Sequence, residues 1–236
     1  IEVLEDMERR HRPAADALKD WGLSHRFAGA GDRAAIGNIV YDALRRRRSA
    51  GWLLGADTPR TVAFGGMILG SGRPAEEINA ALEGDRFAPE PFSTDELSAI
   101  AARDLRDAPE AVRADVPDWC VPMLEQAFGR DWVEEAKGLA ARPPLDLRAN
   151  TLLASRDKVI GELPGSSATD IAPQGIRIPP IEGDGRHPNV QVEPAFQKGW
   201  FEIQDEGSQI AALLSGAAPG MQVLDLCAGA GGKTLA

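Results

Sequence analysis

The sequence predicts a mixed fold of three consecutive parts: an all-helical part over residues 1–140, a small α+β part over residues 141–220, and the first strand and loop of an α/β domain over residues 221–236. Three observations predict this division. Apolar residues recur with a helical period through the first part. After Pro143 and Pro144, short alternating runs separated by Gly and Pro replace that period. The last residues combine a short apolar run with a glycine-rich turn.

The helical part is predicted from apolar spacing and capping residues. Five apolar residues at i, i+3, i+4, i+7 and i+8 form one helix face: Ile36, Ile39, Val40, Ala43 and Leu44. Asp32 is the expected N-cap of this helix, and the four arginines that precede Ser49 are expected to end it. Further helices are expected over residues 1–21, 61–69, 75–82, 94–104, 117–128 and 131–141.

The α+β part is predicted from alternation and turn residues. "LDLRANTL" alternates as a strand does, and "SRDKVIGEL" is typical of a short helix capped by Ser155. "IAPQGIRI" and "HPNVQVEP" predict short strands, and "FEIQDEGSQIAALLSG" predicts a strand that leads into a helix. "MQVLDLC" predicts a buried strand over residues 221–227, and "AGAGGKTLA" predicts a turn that enters a helix.

Composition and cysteine usage bound the class of protein. Hydrophobic residues make up 43% and charged residues 26% of 236 residues, as in soluble globular proteins. No apolar run approaches the ~20 residues that span a bilayer, and the charged start is not a secretory signal. Cys120 and Cys227 are too isolated for a disulfide framework or a zinc site. We therefore expect a cytoplasmic protein without a metal, and a start upstream of Ile1.

The charge distribution points to one candidate nucleic-acid contact. A net charge of −10 argues against nonspecific coating of nucleic acid. Residues 1–48 nevertheless carry ten Lys and Arg against eight Asp and Glu. The positive charge peaks in four consecutive residues: Arg45, Arg46, Arg47 and Arg48. These arginines can follow phosphates, although a solvated helix end explains them equally well.

A glycine-rich turn between a strand and a helix can hold a nucleotide or an adenosine-bearing cofactor. Residues 223–234 read "VLDLCAGAGGKT". A phosphate-binding P-loop needs glycine where Cys227 stands, and the dinucleotide fingerprint needs glycine where Thr234 stands, so both motifs fail. An acidic residue near the strand end followed by a short glycine loop suits S-adenosylmethionine. Binding of ATP or GTP is the weaker alternative.

Three stretches resemble one family in order and spacing. "VLDLCAGAGGKT" resembles the cofactor motif of the RsmB/Nop2/NSUN-type RNA cytosine-5 methyltransferases, in which D-L-C-A-A-P-G-G-K-T is usual. Gly229 and Ala230 depart from that pattern. "GWFEIQDEGSQIAALL" and "PLDLRANTL" resemble two further segments of the family. "HRFAGAGDRAAIGNIVYDALRRRR" is similar to the NusB-like helical domain of the RsmB branch.

The resemblance implies a division of labour. Residues 1–140 would be a NusB-like bundle that docks RNA, residues 141–220 would line the RNA groove, and residues 221–236 would begin a Rossmann-like domain. The cofactor S-adenosylmethionine would contact Cys227, Ala228, Gly229, Ala230, Gly231, Gly232 and Lys233, with Lys233 at its methionine end. RNA would contact the four arginines and also Arg148, Asn150, Gln204 and Asp205.

For some of these expected RNA contacts, local structure is an alternative explanation. Arg148 and Asn150 alternate with Leu147 and could be the polar face of an exposed strand, and Asp205 could simply cap a helix.

The family's two catalytic cysteines are expected after Ala236, so we assign no catalytic residue and expect the polypeptide as printed to be inactive by itself. RNA, most simply rRNA, is the expected partner of a monomer. The alternative is a noncatalytic NusB-like RNA-binding module.

Overall fold

A computed structural model of the protein describes residues 1–84, 86–180 and 188–236. Contacts divide the chain into two compact units, one of residues 1–142 and one that begins at Pro143. The first unit is helical, and the second contains a small antiparallel sheet. The fold class is thus mixed and mostly helical, as the apolar periods predict. No helix in the described ranges combines the length and the hydropathy that crossing a membrane requires.

The first unit is built from short helices joined by tight turns. Its helices are α1 (Glu2–Arg10), α2 (Ala14–Ser24), α3 (Ala30–Arg45), α4 (Arg47–Leu54), α5 (Pro59–Ser71), α6 (Ala75–Leu82), α7 (Thr94–Ala101), α8 (Glu110–Arg113), α9 (Val121–Phe128) and α10 (Trp132–Ala140). Turns of 3-10 helix lie at Leu105–Asp107, Asp118–Cys120 and Gly129–Asp131. Within the described residues of this unit there is no strand.

Three helix boundaries differ from the prediction. The helix expected over residues 1–21 is two helices, because the chain turns at His11 (φ 50°) and Pro13 then precedes α2. Asp32 is not the N-cap of α3. The helix begins at Ala30, and Asp32 accepts the Gly29 N–H at 2.8 Å from inside the first turn. The arginine run does end α3, at Arg45 with Arg46 as the C-cap, but a new helix, α4, begins within the run at Arg47.

Helix α5 packs against α3 and α4 through small residues. Thr58 caps it, with its Oγ1 accepting the Thr61 N–H at 3.2 Å, and Pro59 occupies the first turn. Gly65 and Gly66 lie where α5 meets the other two helices: a Cβ on Gly66 would lie 2.6 Å from the Ala43 Cα atom. The close approach of these helices therefore depends on glycine.

The second unit alternates strands and helices in the order β-α-β-β-α-β-α. Its elements are β1 (Leu145–Ala149), α11 (Arg156–Glu162), β2 (Ser167–Ala168), β3 (Gly175–Ile178), α12 (Pro194–Gln197), β4 (Phe201–Ile203) and α13 (Glu206–Leu214). The strands lie in the order β2-β3-β1-β4, and every adjacent pair is antiparallel. Ser155 caps α11 as predicted, its hydroxyl accepting the Lys158 N–H at 3.3 Å.

The core of the second unit lies on one face of the sheet. Leu147 of β1 is opposite Ile176 of β3 and Ile203 of β4 in register. Leu147, Ile176 and Phe201 are fully buried and pack with Val159 of α11. This core explains why "LDL" and "GIRI" form strands, since their alternate residues supply its apolar side.

Two predicted strands are absent. "HPNVQVEP" contains a 3-10 turn at Val190–Val192, and its first residue lies outside the described residues. Residues 221–227 form no strand, and no helix follows them. No described strand lies beside this segment, so the hydrogen-bonding groups of its backbone have no partner strand, and its apolar side chains stay exposed.

Candidate functional site

The second face of the sheet is polar but buried. Asp146 and Arg148 lie on either side of Leu147 in β1, yet they are only 5% and 6% exposed. Helix α13 packs against β1 and supplies the polar groups that meet this face. The interpretation of Arg148 as part of an exposed strand face is therefore wrong.

Asp146 is the centre of a network of charges on this face. Its two oxygens accept hydrogen bonds from the Arg177 guanidinium, both at 2.7 Å, and one also accepts the Glu206 N–H at 3.1 Å. Glu206 in turn accepts the N–H groups of Ile171 and Ala172 at 3.1 and 2.9 Å. The network joins β1, β3 and α13.

The network also sets the charge states of its members. Burial raises the pKa of Asp146, but hydrogen bonds from Arg177 and from the Glu206 N–H outweigh burial, so that this pKa lies below its ordinary value. The Ala172 N–H and the Thr169 side chain likewise hold the pKa of Glu206 below its ordinary value. Both carboxyls are thus anions at neutral pH.

Arg148 and Asn150 occupy different environments although they are close in sequence. Arg148 is paired in register with Glu202 of β4. Burial lowers the pKa of the Arg148 guanidinium, although the Glu202 carboxylate acts to raise it. Asn150 follows the strand. Its Nδ2 donates to the Gly199 carbonyl at 2.9 Å, and its Oδ1 accepts the Leu152 N–H at 3.3 Å. Asn150 therefore fastens the end of β1 to the segment before β4.

Gln204 connects the sheet to the glycine-rich turn. It is 8% exposed, and its Nε2 donates to the Gly232 carbonyl at 2.7 Å. Gln209 of α13 supports it, because its Nε2 donates to the Leu147 and Gln204 carbonyls at 3.1 and 2.9 Å. Asp205 caps α13 through the Ser208 N–H at 3.3 Å, which agrees with the capping explanation.

The predicted cofactor residues form an exposed irregular turn. Gly231 is half-buried, and Cys227, Ala228, Gly229, Ala230, Gly232 and Lys233 are exposed. Gly229 and Gly231 adopt φ values of 57° and 81°, which favour glycine. Open space surrounds the position of a Cβ on Gly229. The backbone here is accessible to a ligand, which fits the adenosine-bearing cofactor expected from the motif.

The four arginines spread over different partners in the first unit. Arg45 pairs with Asp42 at 2.7 Å, and Arg47 pairs with Glu8 at 2.7 Å and Asp57 at 2.9 Å. Arg48 pairs with Asp118 at 2.7 Å and also donates to the Val116 carbonyl.

Arg46 lines one cavity, whereas Arg47 and Arg48 line another. The four side chains therefore do not form one continuous basic surface.

Sequence reasoning did not predict the contacts of four polar residues of the second unit: Asp146, Arg177, Glu206 and Gln209. The alternation of "LDLRA" marks Asp146 as the partner of Arg148 on one strand face. The polar run "QDEGSQ" marks the start of α13. Neither pattern shows which polar residues meet, because the pairings join positions 29 to 62 residues apart.

The strand order and the family comparison agree on the class of the second unit. Its β-α-β-β-α-β portion has the order of ferredoxin-like folds. Residues 116–179 match the family model described as "Methyltr_RsmF/B-like, ferredoxin-like domain".

Curated relatives carry a more specific name. "Ribosomal RNA small subunit methyltransferase B" of Pseudomonas putida is 31% identical over 157 residues, which are 61% of this chain and 35% of that protein. The protein of that name from Proteus mirabilis is 34% identical over 50% of this chain and 28% of its own length. The probable enzyme of that name from Synechocystis sp. is 34% identical over 50% of this chain and 26% of its own length. The chain is thus similar to RsmB-type methyltransferases over part of their length.

A solved structure shares the fold. The structure titled "Crystal Structure of PH0851" superposes with a TM-score of 0.60 at 19% identity, covering 99% of this chain and 58% of that one. The chain thus spans about a third or less of the curated relatives, and somewhat more than half of this structural neighbour.

Proposed function

We propose that the chain is part of an rRNA cytosine-5 methyltransferase that uses S-adenosylmethionine. One observation carries the proposal: a hydrogen bond from the buried Gln204 to the Gly232 carbonyl brings the family-like segment of residues 199–214 against the glycine-rich turn. The names of the relatives favour this function over a noncatalytic RNA-binding module.

The three parts of the chain would share the work. Residues 1–140 form a NusB-like unit that docks RNA, residues 141–220 line the RNA groove, and residues 221–236 begin a Rossmann-like domain. S-adenosylmethionine supplies the methyl group when bound. The backbone of Gly229 and Gly232 faces the cofactor, and the Lys233 ammonium complements the carboxylate at its methionine end. The protein acts in the cytoplasm as a monomer.

Neither cysteine is placed to be a nucleophile in this proposal. Cys120 is a half-buried residue of the helical unit, and Cys227 belongs to the cofactor turn. The polypeptide of residues 1–236 should therefore bind small-subunit rRNA without methylating it. Binding of this rRNA is compared with binding of heparin, a control polyanion. Methylation is measured as transfer of label from radiolabelled S-adenosylmethionine to the rRNA. Equal affinity for heparin and rRNA would refute the RNA assignment, and label transferred to cytosine would refute the inactivity.

The Gln204 link to the turn is itself testable. Gln204→Leu removes the hydrogen bond to Gly232, and the loss of about 1 kcal/mol should speed amide exchange in residues 228–232 about fivefold. Gln174→Leu is the matched control, since Gln174 makes one long contact at 3.5 Å to Thr151. Mass spectrometry of exchanging peptides measures both variants. Equal exchange in Gln204→Leu and wild type would show that Gln204 does not hold the turn.

A further inference from the structure

A cavity in the helical unit concentrates positive charge in an acidic protein. It has a volume of ≈ 410 Å³ and is lined by Arg46, Arg106, Arg113 and Lys137, with Asp115 as its acidic member. These four cations come from the α3–α4 junction, the Leu105–Asp107 turn, α8 and α10. The net charge of the chain is −10, so the convergence of four cations on one cavity is opposite to the overall trend.

Local carboxylates leave much of this positive charge available. Arg106 pairs with Asp104, Arg113 with Glu110 at 3.2 Å and Lys137 with Glu134 at 2.6 Å. Each carboxylate lies within three positions of its cation, in an exposed or half-exposed pair, and such pairs contribute little free energy. A new anion can therefore compete for these cations.

Two donors in the cavity lining have no hydrogen-bond acceptor among the described residues. The Nε atom of Arg113 is buried and unpartnered. Arg46 forms no ion pair or side-chain hydrogen bond within the described ranges, unlike the three arginines beside it. A buried guanidinium N–H without an acceptor costs free energy, which a bound anion would recover.

Asp115 is already committed to the fold. Its carboxylate accepts the Ser49 N–H at 2.8 Å and the Ser49 hydroxyl at 2.6 Å, in the first turn of α4. Asp115 therefore caps α4 from across the unit and is not free to neutralise the arginines fully. The positive end of the α4 dipole adds to the field in the cavity.

We propose that this cavity binds a phosphate group of RNA, with Arg46 and Arg113 as its main contacts. The proposal rests on the proposed function for the choice of RNA, whereas the anion chemistry follows from the cavity itself. Guanidinium groups suit phosphate because their planar N–H donors pair with two oxygens. The volume lies within the range of ligand cavities, about 300–1,000 Å³, so a nucleotide can enter.

The test compares the RNA affinity of arginine variants inside and outside the cavity, in the full chain. Fluorescence anisotropy with a small-subunit rRNA segment should show about tenfold weaker binding for Arg46→Gln with Arg113→Gln, and a shallower salt dependence. Arg130→Gln is the control, because the Arg130 side chain is 95% exposed and is not among the residues that line the cavity. Arg46→Lys keeps the charge but loses the planar pair of donors, so it should retain only part of the affinity, and Asp115→Asn should increase it. Wild-type affinity in the double variant would overturn the proposal.

Melting temperatures measured with inorganic phosphate or adenosine monophosphate test anion binding by the cavity independently of the proposed function. In one outcome, the wild type does not bind RNA, but phosphate raises its melting temperature and does not raise that of the double variant. This result would refute the proposed function and support the anion site. If phosphate shifts the wild type and the double variant equally, and RNA affinity is also unchanged, the cavity is not an anion site. Circular dichroism confirms that each variant is folded.

Discussion

Replacing Gly66 with alanine is expected to lower the free energy of unfolding of the helical unit by about 2–3 kcal/mol. A Cβ at this position would lie 2.6 Å from the Ala43 Cα atom and 2.9 Å from the Ala43 nitrogen. Both are backbone atoms of α3, so no side chain can rotate away. Accommodation requires α5 to move from α3, which breaks the packing of the fully buried Ala43.

Gly37→Ala is the matched control for this prediction. Gly37 also lies within a helix, α3, but a Cβ there meets nothing within 4 Å. Because alanine has a higher helix propensity than glycine, the free energy of unfolding of this variant should rise by about 0.5–1 kcal/mol. Urea unfolding followed by circular dichroism at the helical band measures both. A Gly66→Ala variant as stable as the wild type would show that the helices can separate at low cost.

Replacing Asp146 with asparagine is expected to destabilise the second unit by about 3 kcal/mol. Asparagine keeps the shape of the side chain but removes the charge that faces Arg177, and its amide cannot accept all three hydrogen bonds. The Arg177 guanidinium then keeps the Glu206 carboxylate at 3.4 Å as a charged partner. Unfolding followed by Trp200 fluorescence, with the four other tryptophans replaced by phenylalanine, measures the loss. Asp170→Asn, at an exposed position, should change stability little.

The same substitution has a defined pH dependence. Because the pKa of Asp146 in the folded chain is depressed, the stabilisation is complete above the ordinary value of about 3.9. It is lost as the pH falls through the lower folded pKa. The difference in free energy of unfolding between wild type and Asp146→Asn should therefore be constant from pH 7 to about pH 5 and shrink below about pH 4. A difference that grows in acid would contradict the assignment of the charge.

Local patterns predicted most elements because those elements depend on local residues. Ser155 caps the helix that follows it, as expected from its position before a helical period. The end of α3 in the arginine run was predictable, but the start of α4 at Arg47 was not. The partners that hold the first turn of α4 lie up to 70 positions away.

The candidate site was predictable in composition but not in contacts. The motif located Gln204 and the glycine-rich turn, yet the hydrogen bond between them spans 28 positions. The alternation of Arg148 and Asn150 with Leu147 left an exposed strand face open as an explanation, since alternation alone does not show that α13 packs against β1. The strand expected over residues 221–227 failed because a strand requires a neighbour, which a short segment cannot reveal.

The charged residues around the α3–α4 junction also affect how fast the helical unit unfolds. Arg47 reaches Glu8, 39 positions away, Arg48 reaches Val116, 68 positions away, and Arg142 reaches Asp42, 100 positions away. Contacts that close such long loops must overcome loop entropy, so they form after the local helices do. Interactions made after the folding transition state act on the unfolding rate. We therefore expect these long-range interactions to prolong the lifetime of the folded unit more than they accelerate its formation.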